Sequence, residues 1–143
     1  MKKALKIVLI MITLVIIGFI AFWALVFYDM NPCGNKVAST FFSPNKQFKI
    51  LVFERNCGAT TDFSTQVSLL RHNLELEHDD EGNIFSADRN YGDAEIDENG
   101  NVYLKATWLN NNKVLITYDS KIRIFKKENK LDGITILYNK NYR

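Results

Sequence analysis

The chain has few of the residues from which catalytic and metal centres are usually built. It contains two cysteines and two histidines among 143 residues. The histidines, His72 and His78, have no recognised zinc-ligand spacing with each other or with Asp79. The chain also lacks a G-x-S-x-G nucleophile elbow. These absences argue against a zinc enzyme and against a serine hydrolase of the common type.

Calcium is the other metal to consider, because one part of the chain is strongly acidic. The stretch that begins at Asp93 resembles the start of an EF-hand loop. An EF-hand requires glycine at the sixth position and glutamate at the twelfth, where this chain has Glu98 and Leu104. Because the motif fails at both positions, we predict no metal site and no cofactor.

The chain lacks a strong excess of either charge. Three of its 18 Lys and Arg residues precede residue 7, so residues 29–143 carry 15 basic and 16 acidic side chains, a net charge of −1. A nearly neutral domain does not attract nucleic acid, and we predict no such partner. Residues 75–98 hold ten acidic side chains and residues 113–143 hold eight basic ones, which we interpret as two solvated faces.

No charged side chain occurs between Ile7 and Phe27, a run of 21 residues. A helix of that length is about 31 Å long and matches the hydrocarbon core of a bilayer, which is about 30 Å thick. A cleaved signal peptide has a shorter apolar run and small residues at its cleavage site, whereas the residues after Gly18 are bulky. We therefore predict an uncleaved membrane helix over residues 7–28, embedded in the lipid bilayer, with a cleaved signal or a buried core helix as alternatives.

Flanking charge predicts the orientation of this helix. Lys2, Lys3 and Lys6 precede it, and the first charge after it is Asp29. The positive-inside rule then places residues 1–6 in the cytoplasm and the rest of the chain outside the cell membrane. Aromatic side chains favour the membrane–water interface, and four of them lie near the outer end: Phe22, Trp23, Phe27 and Tyr28.

The remainder of the chain has no Pro- or Ser-rich tract that divides it. We predict a short linker over residues 29–36 and one domain over residues 37–143, which is long enough for its own core. Alternating apolar residues from Val102 to Trp108 predict a strand with one buried face, and Gln47 to Glu54 is apolar on both faces and predicts a central strand. With further strands at 65–70, 114–118, 122–125 and 134–138, we expect about eight short strands in an all-β sandwich or partly open barrel.

Turns and spacing also bear on the order of these strands. The last four predicted strands follow one another through short turns and suggest a meander. Two similar acidic turns, 79–85 and 97–103, each contain a glycine that permits positive φ and each precede a strand. Residues 69–78 fit a short helix and a strand equally well.

The two cysteines, Cys33 and Cys57, are both predicted to lie outside the membrane. That compartment permits disulfides and the count is even, so we predict one bridge between them. Closing a loop of 25 residues stabilises a fold by about 3.5 kcal/mol in the chain-entropy treatment. The alternative is a nucleophilic Cys57, which would need His72 or His78 as a nearby base.

Hydroxyl side chains are dense after Cys57, where residues 57–68 read CGATTDFSTQVS. In such a turn, hydroxyls commonly satisfy backbone groups. They can also form a polar recognition surface, because loops on a rigid sheet often carry binding sites. The residues in question are Thr60, Thr61, Ser64 and Thr65.

Several short segments resemble a family of small uncharacterised bacterial proteins that are membrane-anchored or exported. They are the turn Ser43-Pro44-Asn45-Lys46, the strand ending Val52-Phe53-Glu54-Arg55, and the stretch that contains CGATT and STQVS. Members resemble one another through an SP-x-GK turn and a CGATT…ST-x-VS motif, and this chain lacks the turn glycine. The resemblance implies the architecture and no activity.

Taken together, the sequence predicts an anchored β domain without a reaction centre. The leading hypothesis is a non-catalytic binding or interaction module at the cell envelope, with an envelope protein or a cell-wall ligand as its partner. One alternative is an envelope enzyme that uses the region from Cys57 to Ser68. A second alternative is an immunity or inhibitor protein against a membrane-active toxin, with the acidic segment as its contact surface.

Overall fold

The structure, a computed structural model, describes residues 2–28, 33–58, 63–98 and 100–142. The chain divides into two compact units, Met1–Asn31 and Pro32–Arg143. The first contains one α-helix, α1 (Lys2–Tyr28). Its segment Lys3–Phe27 has a mean hydropathy of 2.9 and is long and apolar enough to cross a membrane. A helix of this kind near the N-terminus is typical of a membrane anchor or a signal sequence.

The second unit is built from β-strands, as predicted. Its described residues contain nine strands and one short 3₁₀ turn, Asn90–Gly92. The strands are β1 (Gly34–Phe42), β2 (Phe48–Asn56), β3 (Ser64–Arg71), β4 (Phe85–Asp88), β5 (Leu104–Asn110), β6 (Lys113–Asp119), β7 (Arg123–Lys127), β8 (Lys130–Leu131) and β9 (Ile134–Asn141). They form two sheets, β1-β2-β3-β4-β7 and β5-β6-β9-β8, that do not close into one.

Each sheet contributes one face to a shared hydrophobic core. Ile50 and Val52 of β2 pack in the same buried cluster as Val114 and Ile116 of β6. Side chains alternate between the two faces of a strand, so every second residue of these strands points inward. The cluster also includes Phe85, Tyr118 and Ile136.

Strand β2 is covered on both faces, which confirms the prediction from its apolar pattern. The side chains of Leu51 and Phe53, which point away from the core, are also buried. The segment of residues 72–84, which we call the strap, contacts this outer face through a salt bridge from Glu75 to Lys49 and hydrogen bonds to Arg55. The strap therefore forms the second cover, although its polar sequence suggested no such role.

The predicted C-terminal meander is wrong. Strands β5 and β6 do form an antiparallel hairpin, but β7 leaves that sheet and pairs with β4 in the other one. The chain then returns through β8, and β9 runs parallel to β6. The sequence predicted a strand at residues 122–125, but it carried no information on which sheet the strand joins.

Two local predictions are revised and a third is confirmed. Strand β1 begins at Gly34, so residues 34–36 belong to a strand and not to a linker, while residues 29–32 lie outside the described residues. Gly100 has the expected positive φ of 82°. Gly82 does not, and is needed for another reason: a Cβ there would lie 2.6 Å from the carbonyl oxygen of Phe85.

Candidate functional site

The predicted disulfide between Cys33 and Cys57 is present. Cys33 directly precedes β1 and Cys57 directly follows β2, and the neighbouring residues Gly34 and Asn56 are paired across the two strands. The bridge therefore continues the β1–β2 ladder by one position. Because the sulfur of Cys57 is bonded, that residue has no free thiol.

The two histidines lie at opposite ends of the β1–β2 ladder, and His78 is the one near the disulfide. The backbone N–H of His72 donates to the carbonyl of Gln47, which lies at the opposite end of β2 from Cys57. The ring of His78 lies beside Gly34. Within the described residues, neither imidazole hydrogen-bonds to Cys57 or Ser64, and no three His, Cys, Asp or Glu side chains are grouped to hold a metal ion.

The four hydroxyl residues predicted to satisfy a turn or to form a binding surface do not share one location. Thr60 and Thr61 lie outside the described residues. Thr65 is 2% exposed, and its Oγ1 accepts a hydrogen bond from the backbone N–H of Val102 at 3.1 Å. Among the described hydroxyls of this set, only Ser64 lines a surface cavity.

That cavity, which we call the disulfide groove, lies on the outer face of the larger sheet and has a volume of about 420 Å³. Gln66 of β3 organises one side of it. Its Oε1 accepts from the N–H of Gly82 at 2.6 Å, and its Nε2 donates to Ser64 Oγ at 3.0 Å. The groove is thus fixed to the strap by a buried hydrogen bond.

A row of polar side chains crosses the groove from strand to strand. Gln66 of β3 pairs with Ser86 of β4, and Ser86 pairs with Lys126 of β7. Neither the hydroxyl of Ser86 nor the ammonium of Lys126 makes a hydrogen bond or ion pair with the residues that the structure describes. Both groups are therefore available to a ligand.

Arg55 fixes the strap at the other side of the groove. It is 7% exposed. Its Nη1 donates to the carbonyl oxygens of Asp79 at 2.6 Å and Asp80 at 2.9 Å, and to Asn35 Oδ1 at 3.3 Å. Its Nη2 lies 3.9 Å from a carboxylate oxygen of Glu81. The Nη1 donors of Arg55 are thus occupied by the protein itself.

An aromatic wall completes the groove. Phe125 of β7 is 59% exposed, and the guanidinium of Arg123 lies 5.0 Å from its ring centroid. The guanidinium of Arg123 also lies 4.5 Å from the ring centroid of Tyr91, and it bonds to both carboxylate oxygens of the buried Asp88. The hydrogen bond to Asp88 raises the pKa of Arg123 above its ordinary value. This stack holds an exposed ring in a defined position.

Sequence reasoning found Cys57 and Ser64 but missed the other residues of the groove. Gln66 interrupts an apolar strand, and that was the one available signal. Arg55, Ser86, Phe125 and Lys126 belong to different strands and gave no common pattern.

Comparison with known proteins adds one finding. The model of DUF5412, described as a family of unknown function, matches residues 2–132. The match includes the apolar helix and most of the β domain. No curated protein and no solved structure matches the chain.

Proposed function

This chain belongs to the DUF5412 family, and we propose that it is a membrane-anchored, non-catalytic binding module. Its ligand carries a carboxylate and occupies the disulfide groove. The proposal places the N-terminus in the cytoplasm and the β domain outside the cell membrane.

The proposed location rests on the helix and the disulfide together. The apolar part of α1 is preceded by Lys2, Lys3 and Lys6, which favours a cytoplasmic N-terminus. The Cys33–Cys57 bridge fits an oxidising compartment on the other side. A reporter enzyme that is active only outside the cytoplasm, fused after residue 143, should be active, and activity of a cytoplasm-only reporter there would reverse the orientation.

The observation that carries the proposed binding role is the pair Ser86 and Lys126. An ammonium group has three donors and no acceptor, and a hydroxyl adds a further donor. Two unengaged donors on neighbouring strands match the two oxygens of a carboxylate, and charge-assisted hydrogen bonds are the stronger kind. Arg55 also lines the groove, and its Nη1 is bound to the carbonyls of the strap.

The shape of the groove suits a small ligand. Its volume of about 420 Å³ lies within the range of small-molecule sites, which is roughly 300–1,000 Å³. The exposed ring of Phe125 provides a flat apolar surface beside the two donors. A compact ring that bears a carboxylate, such as an acidic sugar, matches this combination.

The groove contacts also favour binding over chemistry. Catalysis by Ser64 or Cys57 requires a base within hydrogen-bond reach. Ser64 Oγ instead accepts from Gln66, and Cys57 is bridged.

Calorimetric titration of the full-length protein in phosphatidylcholine nanodiscs tests the proposal, with glucuronate as the carboxylate probe and glucose as its neutral counterpart. We expect saturable binding of glucuronate and none of glucose. Lys126→Gln should weaken glucuronate binding about tenfold or more, because it removes a charge-assisted hydrogen bond. The matched control Lys121→Gln lies outside the groove and should have no effect. Equal binding of the two sugars, or no saturation by glucuronate, would contradict the proposal.

A further inference from the structure

Arg55 is a second cation of the disulfide groove, and the protein engages only part of its guanidinium. The residue is 7% exposed and lines the groove. Its Nη1 is bound to two strap carbonyls and to Asn35. Its Nη2 makes no hydrogen bond with the residues that the structure describes. Because a guanidinium carries five N–H donors, this side of the group has donors left for a ligand.

The described ion-pair partner of Nη2 is Glu81, and it leaves the hydrogen bonds of this nitrogen unmade. A carboxylate oxygen of Glu81 lies 3.9 Å from Nη2, which is too far for a hydrogen bond, and the side chain of Glu81 is 78% exposed. Among the described residues that are not exposed, only Asn101 has a side-chain nitrogen or oxygen that lacks both a partner and contact with solvent, so solvent reaches Nη2. Both Arg55 and Glu81 line the groove, so this nitrogen is open toward the space for a ligand.

The two cations of the groove belong to its opposite sides. Arg55 lies on β2 and Lys126 on β7, with β3 and β4 between them. Neighbouring strands are about 4.8 Å apart, so three steps separate the two backbones by about 14 Å. Side chains stand roughly perpendicular to a sheet, and the bond from Nη1 to Asn35 of β1 directs the guanidinium away from β7. A single carboxylate therefore does not reach both cations.

The spacing suits a ligand with two anionic groups. Two hydrogen bonds of about 2.9 Å, one at each end, leave about 8 Å of the 14 Å for the ligand between its outer oxygens. A six-membered ring with carboxylates on opposite carbons has this length. Its apolar ring would then lie in the part of the groove where Phe125 is exposed.

We propose that the disulfide groove binds a ring-shaped dicarboxylate, with one carboxylate on Ser86 and Lys126 and the other on Nη2 of Arg55. This inference rests on the proposed binding of a carboxylate at Ser86 and Lys126, and adds the second anionic group. The second carboxylate takes the place of Glu81 beside Nη2 and makes the hydrogen bond that Glu81 does not make. A charge-assisted hydrogen bond to a buried arginine is stronger than an exposed ion pair.

The test is calorimetric titration of the full-length protein in phosphatidylcholine nanodiscs with trans-cyclohexane-1,4-dicarboxylate and with its monoamide, which has the same shape and one carboxylate. We expect the monoamide to saturate one site and the dicarboxylate to bind it about tenfold or more tightly, as for one added hydrogen bond to a charged group. The trans-1,2-dicarboxylate has the same charge but adjacent carboxylates, and should bind no more tightly than the monoamide.

Variants assign this advantage of the 1,4-dicarboxylate to Arg55. Arg55→Lys keeps the charge and a donor for the strap but has no second terminal nitrogen, so it should bind the monoamide and lose the advantage. Glu81→Gln removes the competing carboxylate and should enlarge the advantage about threefold, as for one exposed ion pair. Glu77→Gln changes an exposed strap carboxylate outside the groove lining, and as the matched control should leave the advantage unchanged.

Two results would overturn the inference and leave the proposed function standing: equal affinity of the monoamide and the 1,4-dicarboxylate, or equal affinity of the 1,2- and 1,4-dicarboxylates. No saturation by any of the three compounds would instead refute the proposed function, and this inference with it. If Arg55→Lys binds neither compound because its strap has opened, Glu81→Gln decides: an advantage that does not increase in that variant overturns the inference.

Discussion

Arg55 should determine whether the strap stays on the outer face of β2. The Arg55→Met variant keeps most of the apolar part of the side chain and removes the guanidinium. The variant loses hydrogen bonds to the carbonyls of Asp79 and Asp80 and to Asn35. We expect the strap to open while the two sheets remain paired.

The size of the effect follows from these contacts. A hydrogen bond to a charged group contributes about 1.5–3 kcal/mol, but three bonds that share one nitrogen do not add. The strap carbonyls can also be hydrated once they are released at the surface. The loss of the Glu81 contact at 3.9 Å adds little, because that side chain is 78% exposed. We expect a loss of about 2–3 kcal/mol, which leaves a domain of ordinary stability folded.

Hydrogen–deuterium exchange of the full-length protein in nanodiscs measures this opening directly. The amides of Gly82, Asn83 and Ile84 bond to β3 and should lose protection in Arg55→Met. Amides of the β5–β6 hairpin should keep theirs. Local opening is the expected behaviour of a surface segment that loses one of its main anchors.

Arg71→Met is the matched control. Arg71 is an exposed arginine at the far end of β3, and its described contact is a ring at 6.0 Å. Its replacement should change stability by no more than about 0.5 kcal/mol and leave strap exchange unchanged. The reasoning would be refuted by unchanged strap protection in Arg55→Met, or by a uniform loss of protection across both sheets.

Three further predictions concern stability, each measured by urea unfolding in detergent micelles. Replacing both Cys33 and Cys57 by serine should lower the free energy of unfolding by about 3.5 kcal/mol, since the bridge spans a sequence separation of 24. Reductant should then no longer change the stability of the protein, and a persisting effect of reductant would contradict this. Thr65→Val should cost about 1–3 kcal/mol, because the N–H of Val102 loses its acceptor, whereas Thr65→Ser should cost less by keeping the hydroxyl. Gly82→Ala should cost about 1–3 kcal/mol through overpacking, and an unchanged midpoint would show that the backbone can move away.

The faces of the strands were predictable from sequence because alternation is a local property. Residues two apart on a strand share a face, so the inward side chains of β5 followed from its pattern. The double burial of β2 followed in the same way from apolar residues at both parities. The disulfide followed from compartment and parity, before any geometry was known.

The cover of the outer face was not predictable in this way. The strap is rich in acidic residues, and its first part fitted a helix and a strand equally well, so the acidic segment was expected to be solvated. It is held instead by two buried cations on β2: Lys49, which pairs with Glu75, and Arg55, which binds strap carbonyls. A buried cation can bind backbone oxygen atoms of any residue type, and such partners leave no trace in a sequence pattern.

The candidate site was hidden for a related reason. Gln66, Ser86 and Lys126 are neighbours only because β3, β4 and β7 pair in one register. Alternation assigns each residue to a face, but it does not say which strands lie side by side, and β7 was expected in the other sheet. The placement of β7 beside β4 therefore brings Phe125 and Lys126 to the disulfide. A function that depends on this row is therefore specified by the strand order. The strand order rests on pairings between residues up to about 40 positions apart. Such long-range pairings are costly to form, and the local sequence does not reveal them.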